Sequence, residues 1–329
     1  MSTLRIVFMG TPEFSVPSLQ ALVAAGYEVA GVFTQPDRPR GRGYKVTYSP
    51  VKEAALAAGM PVYQPRRLRE PEALAALRAL QPDVIVVVAF GQLLPKAVLE
   101  LPPLGCVNVH ASLLPKYRGA APIQAAIAAG ETVTGVTTMY MDEGLDTGDI
   151  ILQRAVPIEP EDDAGTLHDK LARVGAELLV ETLRRIEAGD APRIPQDHTQ
   201  ATYAPKVERE HARIDWHRGA KELFNHVRAY RPWPGAYTVH GERILKVLDV
   251  APLNDDSTPA GEREGEGAGP APGEVLAVTA DGFVVQTGAG RLLVRQVQPP
   301  NKQPMSGRDY VNGYRLSVGD RLGGEELPL

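Results

Sequence analysis

The sequence predicts an α/β chain, with a doubly wound, mainly parallel sheet followed by a second, smaller β-barrel domain. Three observations predict it. Short apolar runs alternate with helical stretches through the first half. One of those runs, Val84-Ile85-Val86-Val87-Val88, is apolar at every position. Beyond about residue 205, helices give way to short alternating segments set apart by turn residues. A run apolar throughout suits a strand buried on both faces, as helices on either side of a parallel sheet require.

Taken in order, Ile6–Met9 reads as a strand, Val16–Ala25 as a helix stopped by Gly26, and Val29–Phe33 as a second strand. A long loop over 34–49 leads to helical patterns at Val51–Ala58 and Glu72–Leu80, each bounded by Pro or Gly. After the Val84–Val88 strand come a strand at Cys106–His110, a helix at Ile123–Ala129 and a strand at Val136–Met141. The helix Leu167–Glu187 closes the region. This alternation of strand and helix predicts a Rossmann-like first domain over 1–188. The stretch 189–205 is proline-rich and reads as a linker. From 206 to 329, a helix at Ala220–Ala229 precedes antiparallel segments at Ala236–Val239, Ile244–Val250, Glu274–Val278, Phe283–Thr287 and Arg291–Val297. Their spacing suits an oligonucleotide-binding (OB-like) barrel. The stretch 251–273, rich in Pro, Gly, Glu and Asp, reads as a solvated loop within it.

The chain has 329 residues, 43 % hydrophobic and 23 % charged, an ordinary globular balance with room for two cores. A single cysteine excludes a disulfide framework or a zinc site of several thiolates and suits a reducing compartment. No apolar run approaches the roughly 20 residues that span a bilayer. The opening Met1-Ser2-Thr3-Leu4-Arg5 passes straight into a strand, so no targeting segment is expected and the cytoplasm is the expected address. A net charge of -5 argues against a uniformly basic nucleic-acid binder. Locally, however, 34–49 sets Arg38, Arg40, Arg42 and Lys45 against Asp37 alone. Such a loop could meet phosphates even where the whole molecule repels them.

The turn after the first strand is Gly10-Thr11-Pro12-Glu13-Phe14, without the G-x-G-x-x-G that admits a pyrophosphate, and Glu13 would oppose a phosphate there. No phosphate-cradling G-x-x-x-x-G-K-[ST] occurs either. Chemistry gathers elsewhere. Asn108 and His110 are alternate residues at the end of a strand and so share a face, at the carboxyl edge where open α/β sheets place their sites. Asp146 stands in the glycine-framed Gly144-Leu145-Asp146-Thr147-Gly148. Singly, each has an ordinary structural reading: a satisfied strand-end histidine, a turn aspartate, a loop-tying asparagine. Cys106 shares the face of Asn108, yet four residues at about 3.3 Å each put it ~13 Å from His110, so a buried structural thiol is the better reading. Ser112 lacks the G-x-S-x-G elbow of hydrolases.

In combination these words resemble the folate-dependent formyltransferases. The resemblance is carried by Phe8-Met9-Gly10-Thr11-Pro12-Glu13-Phe14, by Phe33-Thr34-Gln35-Pro36-Asp37-Arg38-Pro39 and by Asn108-Val109-His110-Ala111-Ser112-Leu113-Leu114-Pro115. It continues through Arg118 to Gln124, Met141 to Asp149, Arg213-Ile214-Asp215-Trp216, Arg228 to Gly235 and Lys302 to Gly307, and so spans nearly the whole chain. It implies that Asn108, His110 and Asp146 are catalytic. It further implies that a 10-formyltetrahydrofolate cosubstrate is bordered by Phe90, Gly91, Leu94, Ser112, Leu113, Leu114, Pro115 and Asp142, with no metal. The basic loop and the second domain narrow the implied acceptor to methionyl initiator tRNA, met by Arg38, Arg40, Arg42, Lys45, Lys206 and Lys302, and a monomer is expected. The rivals are a relative that formylates a glycinamide ribotide or nucleotide sugar or hydrolyses the donor, and a noncatalytic tRNA-binding protein. One departure from the resemblance is Ala111, where many relatives carry glycine; another is the length and acidity of 251–273.

Overall fold

A computed structural model of the chain describes residues 4–40, 45–253 and 269–324, with only the backbone described at 38–40 and 45–46. The chain forms two compact units. One comprises 1–122, 133–158 and 166–205; the other comprises 123–132, 159–165 and 206–329.

The strands and helices of the first unit run β1 (Arg5–Gly10), α1 (Val16–Ala24), β2 (Glu28–Phe33), β3 (Arg38–Arg40), β4 (Lys45–Thr47), α2 (Pro50–Ala57), β5 (Val62–Tyr63), α3 (Pro71–Leu80), β6 (Val84–Val88), α4 (Lys96–Leu99), β7 (Cys106–His110) and β8 (Arg118–Gly119). Next come α5 (Pro122–Ala128), most of which belongs to the second unit, then β9 (Val133–Tyr140), β10 (Ile150–Pro157), α6 (Ala164–Ala188) and β11 (Tyr203–Ala204). Seven strands make one sheet in the order β10-β9-β7-β6-β1-β2-β5. The five from β7 to β5 are parallel, while β9 and β10 add an antiparallel edge. The chain therefore winds outward from β1 in one direction and from β6 in the other, which makes the gap beyond β1 and β6 the switch point of the sheet.

β6 is buried at all five positions, as its uninterrupted apolar sequence requires. Val7, Met9, Phe33, Leu77, Ile85, Val87, Phe90 and Cys106 share one core beneath it. On helix α6, a Cβ at Gly175 would sit 3.0 Å from Val109 and 3.5 Å from Val136, so glycine there lets the helix lie close on β7 and β9. Thr182 on the same helix is within 2.7 Å of Thr138 on β9, hydroxyl to hydroxyl.

Two expectations need correction. The basic stretch over 34–49 is not plain loop: β3 and β4 pair antiparallel as a hairpin, Arg38 opposite Thr47 and Arg40 opposite Lys45. The stretch 189–205 is no free linker, because Ile194 bridges Ile150, β11 pairs with β8, and Gln196 is 7 % exposed. Backbone groups left unpaired by β8 and β10 are satisfied there, and that binds the segment to the first unit.

The second unit holds α7 (Ala220–Ala229), β12 (Tyr237–His240), β13 (Arg243–Leu253), β14 (Val275–Thr279), β15 (Gly282–Gln286), β16 (Arg291–Gln298), β17 (Met305–Ser306) and α8 (Gly307–Tyr314). Its antiparallel sheet runs β12-β13-β16-β15-β14, with β17 on β16. The two outer strands are joined by the segment 319–323. Gly319 donates to Val275 O and Leu322 to Gly273 O on one side, and Gly323 donates to Val239 O on the other. Trp216, Leu223, Val247, Phe283, Val285, Leu292, Val294 and Tyr310 fill the interior. The resemblance-bearing words of this unit have structural uses. Trp216 Nε1 donates to Thr238 at 2.9 Å, and the Arg228 guanidinium donates to the carbonyls of Glu159, Pro160 and Asp162. Most of 251–273 lies outside the described residues.

Candidate active site

The carboxyl ends of β1, β6 and β7 lie side by side. Beyond β6 the backbone turns through Ala89 and Gly91, both at positive φ (47° and 84°). The Phe90 carbonyl between them accepts from Thr11 Oγ1 at 3.0 Å and Gln35 Nε2 at 3.2 Å, which ties the loops beyond β1 and β2 to that beyond β6. The side chains of Phe90 and Leu94 point into the core, 2 % and 8 % exposed, whereas Leu93 stands 85 % exposed. What this segment offers a flat heterocycle is therefore backbone and the bare Gly91.

Asn108 and His110 project from β7, with Asn108 beside Val87 of β6 and Met139 of β9. Asn108 is half-buried and His110 buried. The imidazole Nε2 lies 2.9 Å from the Tyr117 carbonyl. A carbonyl only accepts, so Nε2 carries a proton and Nδ1 is left for the other side. There, Asp146 Oδ2 stands 3.8 Å away. The same oxygen accepts from the Gly119 amide at 2.7 Å. Direct geometry thus brings His110 and Asp146 together, while strand alternation places Asn108 on the same face of β7 as His110.

The turn that follows β7 is held by its own polar groups. Ser112 is fully buried and donates its hydroxyl to Lys116 O at 2.6 Å, so its side chain serves the turn and does not face a substrate, contrary to expectation. Thr137 donates to Ser112 O at 2.6 Å and accepts from the Leu114 amide, and Gln153 donates to Leu114 O at 2.9 Å. Leu114 packs with Met139 and Ile150, Leu113 lies over Gly135, and the Leu114–Pro115 peptide is cis. Asp142 is exposed and caps its own loop, accepting from the Gly144 amide and the Thr147 hydroxyl.

The Cys106 thiol turns away, toward the carbonyls of Val98 and Leu99, and burial pushes its pKa up to about 12. A thiol that holds its proton so tightly is no nucleophile at neutral pH. At the root of the β3–β4 hairpin, Lys52 and then Gln64 donate to Asp37 and hold its carboxyl below the usual range. That leaves the one acid of the basic stretch engaged by Lys52. Arg38, Arg40 and Lys45 occupy the hairpin strands, and Arg42 lies outside the described residues. Lys206 and Lys302 are exposed on the second unit, Lys302 in the turn after β16.

Two neighbours escaped the sequence reading. Arg118 is 2 % exposed, and its guanidinium donates to Gln196 Oε1 at 3.2 and 2.7 Å and to His198 Nδ1 at 3.0 Å. Gln196 in turn donates to the carbonyls of Asp146 (2.9 Å) and Gly148 (2.8 Å). No local pattern announces a pairing over fifty residues; the only hint was a polar residue in a stretch otherwise reading as connector.

Comparison with known proteins places this architecture. Residues 4–183 match the Formyl transferase family and residues 206–315 its C-terminal domain. Among curated proteins, a methionyl-tRNA formyltransferase of Symbiobacterium thermophilum is 56 % identical over 99 % of this chain and 97 % of its own length. One from Moorella thermoacetica is 55 % identical over 97 % of this chain and 99 % of its own. Among solved structures, the sugar 3N-formyl transferase WlaRD superposes with a TM-score of 0.65 at 18 % identity, covering 92 % of this chain and all (100 %) of that one. HypX of Aquifex aeolicus, solved with tetrahydrofolic acid, gives 0.61 at 20 % identity, covering 97 % of this chain and 49 % of its own. At such identities these two structures speak for the fold.

Proposed function

This chain belongs to the formyl transferase family, and on that premise we propose that it transfers the formyl group of 10-formyltetrahydrofolate to the α-amino group of methionyl initiator tRNA. The observation that carries this reading is identity of 55–56 % with methionyl-tRNA formyltransferases over 97–99 % of the chain, second unit included.

The geometry is compatible with the following mechanism. A free α-amine, with a pKa near 8, is in part unprotonated at neutral pH and attacks the formyl carbon. A C–N bond forms, the carbonyl oxygen becomes an oxyanion, the bond to N10 of the folate then breaks, and the amine proton passes to N10. The Asn108 amide and Nδ1–H of protonated His110 donate to the oxyanion, each worth about 3–4 kcal/mol in a dry site. His110 acts through Nδ1 because Nε2–H is bonded to the Tyr117 carbonyl. Asp146, on the Nδ1 side, supports the imidazolium and can relay the proton between the amine and N10.

The backbone around Phe90, Gly91 and Leu94, the turn Ser112, Leu113, Leu114 and Pro115, and Asp142 border the pterin. Arg38, Arg40, Arg42 and Lys45 meet the acceptor end of the tRNA, and Lys206 and Lys302 meet phosphates further along it. The enzyme works as a monomer in the cytoplasm, where translation begins. No described helix is long and apolar enough to cross a membrane.

The direct test offers the purified protein 10-formyltetrahydrofolate with charged initiator tRNA, glycinamide ribotide, an aminosugar nucleotide, or water alone. Formyl transfer to the charged tRNA alone supports the reading. Faster transfer to a small amine, or mere hydrolysis, overturns it.

A further inference from the structure

We propose that Gln196 is a positioning residue for Asp146, holding the turn from which that carboxylate reaches His110. The inference rests on the reading of Asp146 as the partner of His110 in formyl transfer.

Asp146 has a backbone φ of 53°, a conformation side-chain-bearing residues adopt at a cost and keep only when the surroundings impose it. Two supports impose it here. From one side, Gly119 gives its amide to the carboxylate at 2.7 Å. From the other, Gln196 gives its amide nitrogen to the backbone carbonyls of Asp146 and Gly148 at 2.9 and 2.8 Å. Gly148 sits so close to β9 that a Cβ would lie 1.7 Å from Tyr140 O, so the turn has no slack on that flank.

The two supports are joined. Gln196 Oε1 accepts from the Arg118 guanidinium, and Arg118 is the residue before Gly119. The amide can face only one way, since Arg118 only donates and the carbonyls only accept. A guanidinium 2 % exposed requires hydrogen-bond acceptors, so it fixes Gln196 as firmly as Gln196 fixes the turn. β8 is itself pinned, for a Cβ on Gly119 would lie 2.7 Å from Ala204 O on β11. Asp146 is thereby clamped at its carboxylate and its backbone by one bonded unit. A residue that merely fastened a connector would need one of these bonds; Gln196 makes two to Arg118 and two to the turn carrying Asp146, besides a longer contact to the Met139 sulfur.

The test is a double-mutant cycle on the full chain with Gln196→Met, which keeps the length and removes every donor and acceptor of use, and Asp146→Asn. Single-turnover formyl transfer, KM for both substrates and thermal unfolding are read for each variant. Gln196→Met is expected to lower kcat on the order of tenfold or more, with both KM values within about twofold. In the Asp146→Asn background the same change should cost less than about twofold, because its effect runs through the missing carboxylate. Equal losses in both backgrounds, or a loss matched by the fraction unfolded, would mean that Gln196 serves stability alone and would overturn the inference. An unchanged kcat for Gln196→Met with an impaired Asp146→Asn overturns it too. Near-parent turnover by Asp146→Asn would instead remove the catalytic reading on which it rests. Gln196→Glu, which offers oxygens to two carbonyls, must fall at least as far as Gln196→Met.

Discussion

Asp146 Oδ2 and His110 Nδ1 lie 3.8 Å apart, on the side of the imidazole opposite the Tyr117 carbonyl. That separation is too long for a closed hydrogen bond and leaves space between the two side chains. In the proposed mechanism an oxyanion forming there would meet Nδ1–H from one direction and the Asn108 amide from another. The Tyr117 carbonyl on the ring's far nitrogen leaves Nδ1 as the ring atom facing that space.

Asn108 is the second oxyanion donor of the proposed mechanism. Asn108→Ala is expected to lower kcat by about 10²–10³, as loss of one oxyanion donor does elsewhere, while KM for the folate stays within about twofold. Steady-state kinetics with charged tRNA in excess check this. A loss confined to KM would assign Asn108 to binding.

Cys106 should be a bystander. Its pKa is pushed to about 12 by burial, and its thiol faces backbone carbonyls away from the site. The folded protein at pH 7 is expected to resist thiol alkylation for as long as it stays folded, and Cys106→Ala to keep near-parent turnover. Mass spectrometry after alkylation and the formyl-transfer assay decide; inactivation by a stoichiometric thiol reagent would bring a cysteine nucleophile back.

The basic stretch should govern the tRNA and not the folate. Arg42→Ala is expected to lower kcat/KM for charged tRNA with folate affinity intact, and to flatten the salt dependence of the tRNA reaction by about one ion. Equal efficiency of mutant and parent refutes the role given to this arginine.

His226 in the second unit sets part of the acid limit of stability. Burial, the largest influence, pushes its pKa down to about 4 from the usual 6.5, and its Nε2 has no hydrogen-bond partner among the described residues. Unfolding lets the ring take the proton that the folded state refuses. Its contribution is therefore complete above pH 6.5, fades as pH falls toward about 4, and is spent below that, a total of up to about 3 kcal/mol. The slope of stability against pH across this window, from denaturant titrations, should lessen in His226→Gln. An unaltered slope would place the acid sensitivity in other groups.

Much of this was legible in the residues because the deciding patterns are local. Val84–Val88 could be nothing but a buried strand, and the alternation of Asn108 and His110 put both on one face before any coordinates. The antiparallel edge was not legible. β10 mixes buried and exposed positions around Gln153 and Arg154, and its pairing with β9 spans the loop of Asp146, so no element was read there from sequence. β5 has two residues, too few for a period. The segment 189–205 lacks apolar rhythm because its bonds are long-range and polar: Gln196 to the Asp146 turn and β11 to β8. In the second unit the strands were legible, but not the segment 319–323 that joins β14 to β12, since only tertiary pairing makes it regular.

The most direct test of the central claim is single-turnover transfer to methionyl initiator tRNA by His110→Ala at saturating 10-formyltetrahydrofolate. Turnover should vanish while the folate still binds, as equilibrium titration would report. A rate near that of the parent would contradict the oxyanion chemistry assigned to this imidazole.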